Sequence, residues 1–110
     1  ASDVYKRQHA GLDMAAVYAA TVHAAASGTV TFAGETPGYG KTVVVTHRFG
    51  FQTRYAHLTL IYTRKGAKVE KGDVIGFVGS TGISTGNHLH YEVIKNQKRI
   101  NPLNFIYGTK

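Results

Sequence analysis

A chain of 110 residues with 43% hydrophobic and 17% charged residues has the composition of one globular domain, which argues against intrinsic disorder. The absence of cysteine excludes disulfides and any thiolate-bound metal. The net charge of +7 favours anionic partners. However, the basic residues are not interleaved with aromatic residues, and no segment has the roughly 20 apolar residues of a membrane span, so we expect neither a nucleic-acid partner nor a membrane span.

Short segments typical of β-strands follow one another from residue 28 onwards, separated by glycine-containing turns. In chain order they are "GTVTFAG" (28–34), "KTVVVTH" (41–47), "FQTRYAHL" (51–58), "GAKVEKGDVIGFVGSTG" (66–82), "HLHYEVI" (88–94) and "RINPLNFI" (99–106). The second and third should pair as a hairpin. The residues before 28 show no strand pattern, and no segment sustains a helical period. The prediction is an all-β domain, a compact antiparallel sandwich or barrel with little or no helix.

Two histidines flank a single leucine in "GNHLHYEV" (86–93). Side chains alternate between the faces of a strand, so His88, His90 and Glu92 should share one face. The apolar residues that alternate with them should face the core. The histidine face is therefore expected to look into water or into a polar cleft.

A second pair of possible metal ligands, His9 and Asp13, lies four residues apart in "HAGLD". An imidazole nitrogen and a carboxylate oxygen suit Zn²⁺, although this spacing alone is a weak signal because it often arises by chance. Together with either His88 or His90, they would form a three-ligand site with one open position, as in catalytic zinc sites. The other histidine of that pair would then serve as a general base or acid.

The remaining histidines carry weaker signals. Alternation along "FQTRYAHL" places His57 on the same face as Thr53 and Tyr55. A proton-transfer role for His57 requires the fold to bring it near His88. His23 and His47 have no comparable neighbours in the sequence, and we assign both to structural or surface roles.

Taken together, these motifs carry a family resemblance. "HAGLD" (9–13), "YAHL" (55–58) and "TGNHLHYEV" (85–93), in this order, resemble the zinc peptidases of the LytM and lysostaphin type, which are the M23 endopeptidases of bacterial cell walls. The connecting segments also resemble the family's, glycine for glycine. The likeness covers residues 9–106, and the three motifs are specific as a set.

The resemblance implies a role for each of five residues. His9, Asp13 and His90 would bind Zn²⁺, and His57 and His88 would be the catalytic histidines. It also implies a fold of the duplicated hybrid motif type and hydrolysis of peptide cross-links in peptidoglycan. The implied partners are peptidoglycan stem peptides or cross-bridges, in the periplasm or outside the cell.

The resemblance also suggests how the chain is organised. Residues 1–8 do not match, so we expect a non-matching N-terminal segment followed by an M23-like peptidase domain over residues 9–110, monomeric as a domain. The chain begins "ASDVYKRQ", with neither an initiator methionine nor a signal peptide. We therefore expect it to be a fragment of a longer envelope protein.

Two other functions fit parts of the pattern. A non-catalytic LytM-type module would bind the cell wall and activate amidases. A phosphocarrier similar to the sugar-phosphotransferase IIA domains, which have a comparable "H-x-G-I-D" stretch, would use paired histidines without zinc. The five filled positions favour an enzyme over the first, and "YAHL" with "HLHYEV" favours a peptidase over the second.

Overall fold

Nine β-strands and one short 3-10 turn form the regular structure in the described part of the chain. The computed structural model describes residues 12–15, 20–79, 88–96 and 98–100, and for residues 12–15, 88 and 98–100 it describes the backbone alone. The strands are β1 (Leu12–Ala15), β2 (Thr21–His23), β3 (Gly28–Thr36), β4 (Gly40–Thr46), β5 (Phe51–Ile61), β6 (Lys68–Val69), β7 (Val74–Val78), β8 (His88–Lys95) and β9 (Lys98–Ile100). The 3-10 turn, Arg48–Gly50, joins β4 to β5. The predicted all-β class is confirmed. Within these residues, no helix is long and apolar enough to cross a membrane.

The strands form one curled antiparallel sheet. Its order is β1-β8-β5-β4-β3-β6, with β7 paired to β2 and β5, and β9 paired to β8. The predicted hairpin between β4 and β5 is present. One edge of β5 pairs with β4, while the other pairs first with β8 over residues 51–56 and then with β7 over residues 58–61. The change of partner falls at His57.

The hydrophobic core lies against one face of this sheet. Its largest contributions come from aliphatic and aromatic side chains, which include Val30, Val43, Val45, Tyr55, Leu58, Ile75, Tyr91 and Val93. In β8, Tyr91 and Val93 are buried and Leu89 packs against the core, as the alternation predicted. The face of β8 that carries His90 and Glu92 is therefore turned away from the apolar core.

The N-terminal part of the chain departs from the prediction. Residues before 28 were expected to show no strand, yet β1 pairs with β8 and β2 pairs with β7. At the other end, the expected closing strand is present as β9, and its predicted continuation to residue 106 lies outside the described residues. The error at the N-terminus matters for function, because β1 contains Asp13.

Two neighbouring core tyrosines differ in how their hydroxyls are bonded, although their ring centroids are 5.5 Å apart. The Tyr55 hydroxyl accepts a hydrogen bond from the Ala25 backbone N–H at 2.9 Å and is hydrogen-bonded to the Thr53 hydroxyl at 2.7 Å. The Tyr91 hydroxyl is buried and has no hydrogen-bond partner among the described residues. Burial raises the pKa of the Tyr91 phenol, so it stays neutral.

This difference predicts opposite effects for two equivalent substitutions. Tyr91→Phe should raise the free energy of unfolding by about 1 kcal/mol, because it removes a buried polar atom without a partner. Tyr55→Phe should lower it by about 1 kcal/mol or more, because it leaves the Ala25 N–H without its acceptor. Urea denaturation with an unchanged m-value measures both changes. A loss of stability in Tyr91→Phe as large as in Tyr55→Phe would contradict the assignment.

Candidate metal and catalytic site

A polar cluster covers the face of β8 opposite the core. His90 and Glu92 are two residues apart on β8 and so share this face. Arg54 on β5 and Tyr39, in the turn before β4, complete the cluster. Only 8% of His90 is exposed, and Glu92 is fully buried. A buried carboxylate requires compensating donors, so the partners of Glu92 determine whether the cluster is stable.

Glu92 is held by donors on both carboxylate oxygens. Its Oε2 accepts hydrogen bonds from the Tyr39 hydroxyl at 2.9 Å and from His90 Nε2, also at 2.9 Å. Its Oε1 accepts a hydrogen bond from the Arg54 guanidinium at 2.8 Å, which is also an ion pair. The same guanidinium stacks over the Tyr39 ring, 4.9 Å from its centroid. These contacts link four residues from three parts of the chain into one network.

The protonation state of Glu92 follows from these contacts. Burial acts to raise the pKa of its carboxyl, but the hydrogen bonds from His90 and Tyr39 and the charge of Arg54 outweigh burial and lower the pKa below its ordinary value. Glu92 is therefore an ionised, acceptor-only group at neutral pH. The hydrogen between His90 and Glu92 must then reside on His90 Nε2.

His57 lies next to this cluster because β5 contains a bulge. Lys41 pairs with Leu58 and Val43 with Tyr55, so β5 has one more residue than β4 over this stretch. His57 takes a left-handed backbone conformation with φ of 63°. For a residue other than glycine, that conformation costs on the order of 1–3 kcal/mol. The backbone on either side is fixed, since the His57 N–H donates to Tyr39 and its carbonyl accepts from Gly79.

The bulge corrects one prediction. Strict alternation placed His57 on the face of Thr53 and Tyr55, but the extra residue gives the next core position to Leu58. The His57 ring instead meets the His90 ring edge to face, with centroids 5.8 Å apart. His57 is 6% exposed. The fold thus brings His57 to His90, whereas the predicted approach of His57 to His88 stays a prediction, because the His88 side chain lies outside the described residues.

The structure describes the other predicted site residues only in part. The register of β1 against β8 places Asp13 directly opposite His90, and Ala15 directly opposite His88. The side chains of Asp13 and His88, and the whole of His9, lie outside the described residues. The described side chains alone contain no group of three potential metal ligands. The ligand set His9, Asp13 and His90 therefore stays a prediction.

His23 and His47 are integrated into the fold. In His23, Nδ1 is hydrogen-bonded to the Gly72 carbonyl at 2.8 Å and Nε2 to the Thr21 hydroxyl at 2.9 Å. His47 is bonded in the same way to the Ser27 carbonyl and the Thr53 hydroxyl, both at 2.7 Å. These contacts agree with the structural roles predicted for both histidines.

A cavity of about 710 Å³ adjoins the cluster and shares Tyr39 and Arg54 with it. Its other walls include hydroxyl and amide side chains from three adjacent strands, among them Thr31, Thr42 and Gln52. Hydroxyl and amide groups can both donate and accept hydrogen bonds, as an extended peptide backbone requires. Sequence reasoning assigned no role to Tyr39 or Arg54. For Glu92, the one signal was its place two residues after His90.

A curled antiparallel sheet of this kind is also found in known peptidases. The model of Peptidase family M23 matches residues 7–102. The chain belongs to this family, as its motifs predicted.

Similar proteins fall in the same class. A DD-carboxypeptidase/endopeptidase, Mpg, from Neisseria meningitidis is 48% identical over 103 residues, which is 94% of this chain and 24% of that protein. The catalytic domain of lysostaphin from Staphylococcus simulans superposes with a TM-score of 0.86 at 30% identity, covering 91% of this chain and 80% of that one. A zinc-containing peptidase from Vibrio cholerae has a TM-score of 0.81 at 35% identity, covering 84% and 29%. The chain thus spans about a quarter of the length of Mpg.

Proposed function

We propose that this chain is a zinc-dependent endopeptidase that hydrolyses peptide cross-links of bacterial peptidoglycan in the cell envelope. The observation that carries the proposal is the contact of the His57 and His90 rings, 5.8 Å apart, beside the strand position of Asp13. These three residues are at least 33 positions from one another in the sequence, and their meeting matches the predicted ligand and catalytic sets. The names of the similar proteins, peptidases and endopeptidases, support the same class.

The chemistry of these residues fits zinc. Residues directly opposite each other in an antiparallel pair share a face of the sheet, so Asp13 and His90 occupy suitable positions for two ligands of one ion. His90 donates through Nε2 to a carboxylate, which is how zinc-bound histidines are commonly oriented by an outer partner. His9, Asp13 and His90 would hold the ion through nitrogen and oxygen atoms and leave a position for substrate or water.

The protein residues would supply proton transfer and substrate binding. When bound, zinc supplies a Lewis acid that polarises the scissile carbonyl and lowers the pKa of water. One of the two imidazoles, His57 at the side of His90 or His88, would accept a proton from the attacking water. The other would donate a hydrogen bond to the developing oxyanion or give a proton to the leaving amine. The cavity beside Tyr39 and Arg54 would receive the peptide, and the net charge of +7 would favour an anionic wall polymer.

Digestion of purified sacculi tests this proposal. The zinc-loaded chain should convert cross-linked muropeptides into uncross-linked ones, seen by chromatography and mass spectrometry of the digest. A chelator should stop the reaction and added zinc should restore it. If the zinc-loaded chain sediments with sacculi but leaves every cross-link intact, it is a non-catalytic wall-binding module. Phosphate transfer to a histidine from a phosphorylated donor protein would instead indicate a phosphocarrier.

A further inference from the structure

We propose that Glu92 is a positioning residue that fixes the ring tautomer of His90, so that Nδ1 is the atom presented to the metal, with Tyr39 and Arg54 holding Glu92 in place. This inference rests on the proposed function, because it concerns a ligand of the proposed zinc site. It adds residues that none of the sequence motifs assigned to the site.

The hydrogen bond between His90 and Glu92 determines the tautomer. An ionised carboxylate only accepts hydrogen bonds, so His90 Nε2 must carry the hydrogen in the 2.9 Å contact. In a neutral imidazole with hydrogen on Nε2, the lone pair that can bind a metal is on Nδ1. A ring flipped by 180° would lose the bond to Glu92 and offer the metal the wrong nitrogen. Glu92 therefore selects both the tautomer and the ring orientation.

Glu92 can impose this choice because it is itself fixed. It is fully buried, and its two oxygens are bound to different groups, Oε1 to Arg54 and Oε2 to Tyr39 as well as to His90. Rotation of the carboxylate would break the ion pair with Arg54, whose side chain is itself stacked on Tyr39. The position of the Glu92 carboxylate thus depends on Arg54 and Tyr39, which are 38 and 53 positions away in the sequence.

Replacing the Glu92 carboxylate with an amide should reverse the tautomer of His90. In Glu92→Gln, one oxygen must be replaced by an NH₂ group, which only donates. The amide oxygen should face Arg54, because the alternative sets the NH₂ group against the guanidinium. The NH₂ group then faces His90 Nε2, which becomes an acceptor, and the hydrogen moves to Nδ1. His90 would then offer the metal a protonated nitrogen.

Two measurements test the proposal. Long-range ¹H–¹⁵N NMR of the metal-free chain should show neutral His90 with hydrogen on Nε2, and Glu92→Gln should show it on Nδ1. Competition for zinc with a chelating dye should show a 10- to 100-fold loss of zinc affinity in Glu92→Gln, the range typical for losing an outer partner of a metal ligand. Glu70→Gln, at an exposed position, is the matched control and should change neither result.

Tyr39→Phe keeps the test decisive if Glu92→Gln does not fold. It removes one donor from Oε2 but keeps the carboxylate and Arg54. The hydrogen should stay on Nε2, and zinc affinity should fall less than tenfold. Hydrogen on His90 Nδ1 in the metal-free wild-type chain would overturn the proposal, and so would wild-type zinc affinity in a folded Glu92→Gln. Failure of the proposed function looks different: zinc binds and the tautomers are as expected, yet the wild-type chain hydrolyses no cross-link.

Discussion

Replacing His90 with alanine should remove zinc and hydrolytic activity together. His90 is one of three predicted ligands, so its loss leaves two and should weaken zinc binding by more than the 10- to 100-fold expected for losing an outer partner. Elemental analysis of the desalted protein gives the zinc content per chain. Activity should fall to that of the metal-free chain, because no other described residue offers an imidazole at this position.

The control for this substitution must separate loss of a ligand from loss of the fold. His90→Ala also removes a donor from the buried Glu92, which should lower stability by about 1–3 kcal/mol. His23→Ala is the matched variant, because His23 also lies on a strand and has both ring nitrogens bonded to the protein. It should keep its zinc. Equal zinc content in folded His90→Ala and wild type would remove His90 from the site.

Replacing His57 should separate metal binding from turnover. His57→Asn should keep one zinc per chain but lower kcat by roughly 10²- to 10⁴-fold, the usual contribution of a positioned acid or base. Asparagine is preferred to alanine here because it tolerates the left-handed backbone at φ of 63°. His88→Ala is expected to give the same result, since the family resemblance implies that His88 is the second catalytic histidine.

Steady-state kinetics on a cross-linked muropeptide, together with elemental analysis, measures this effect. A similar KM with a much lower kcat is the pattern expected when a proton-transfer group is lost and the substrate still binds. His47→Ala serves as a comparison, because His47 follows the end of β4 and is bonded to the Ser27 carbonyl, just before β3. A folded, zinc-loaded His57→Asn that works at the wild-type rate would show that His57 has no catalytic role.

The sequence predicted those parts of the fold that depend on local pattern. In β8, apolar and polar residues alternate, and Tyr91 and Val93 are in the core as expected. β1 and β2 could not be predicted in this way, because "LDMA" and "TVH" are too short to show a period. These two strands exist because β8 and β7 offer edges for pairing, which is a property of the assembled sheet.

The candidate site could likewise be predicted only where it depends on local sequence motifs. Spacing and resemblance singled out His57 and His90, whose rings lie in contact. They could not predict on which face of the sheet His57 lies. One bulged residue reverses the alternation, and nothing in "RYAHL" marks the bulge. They also left out Tyr39 and Arg54, which reach Glu92 across 53 and 38 positions of sequence. Such contacts are set by the strand order β8-β5-β4 and have no local signature.

We propose that one zinc ion, held beside His57 and His90, makes this chain a peptidase. The most direct test is to strip the chain with a chelator and add zinc back in measured amounts while following cleavage of a cross-linked muropeptide. We expect no cleavage without metal, a linear rise in rate, and a sharp end point at one zinc per chain. Full activity in the stripped chain, or no cleavage after one equivalent is bound, would contradict the proposed zinc dependence.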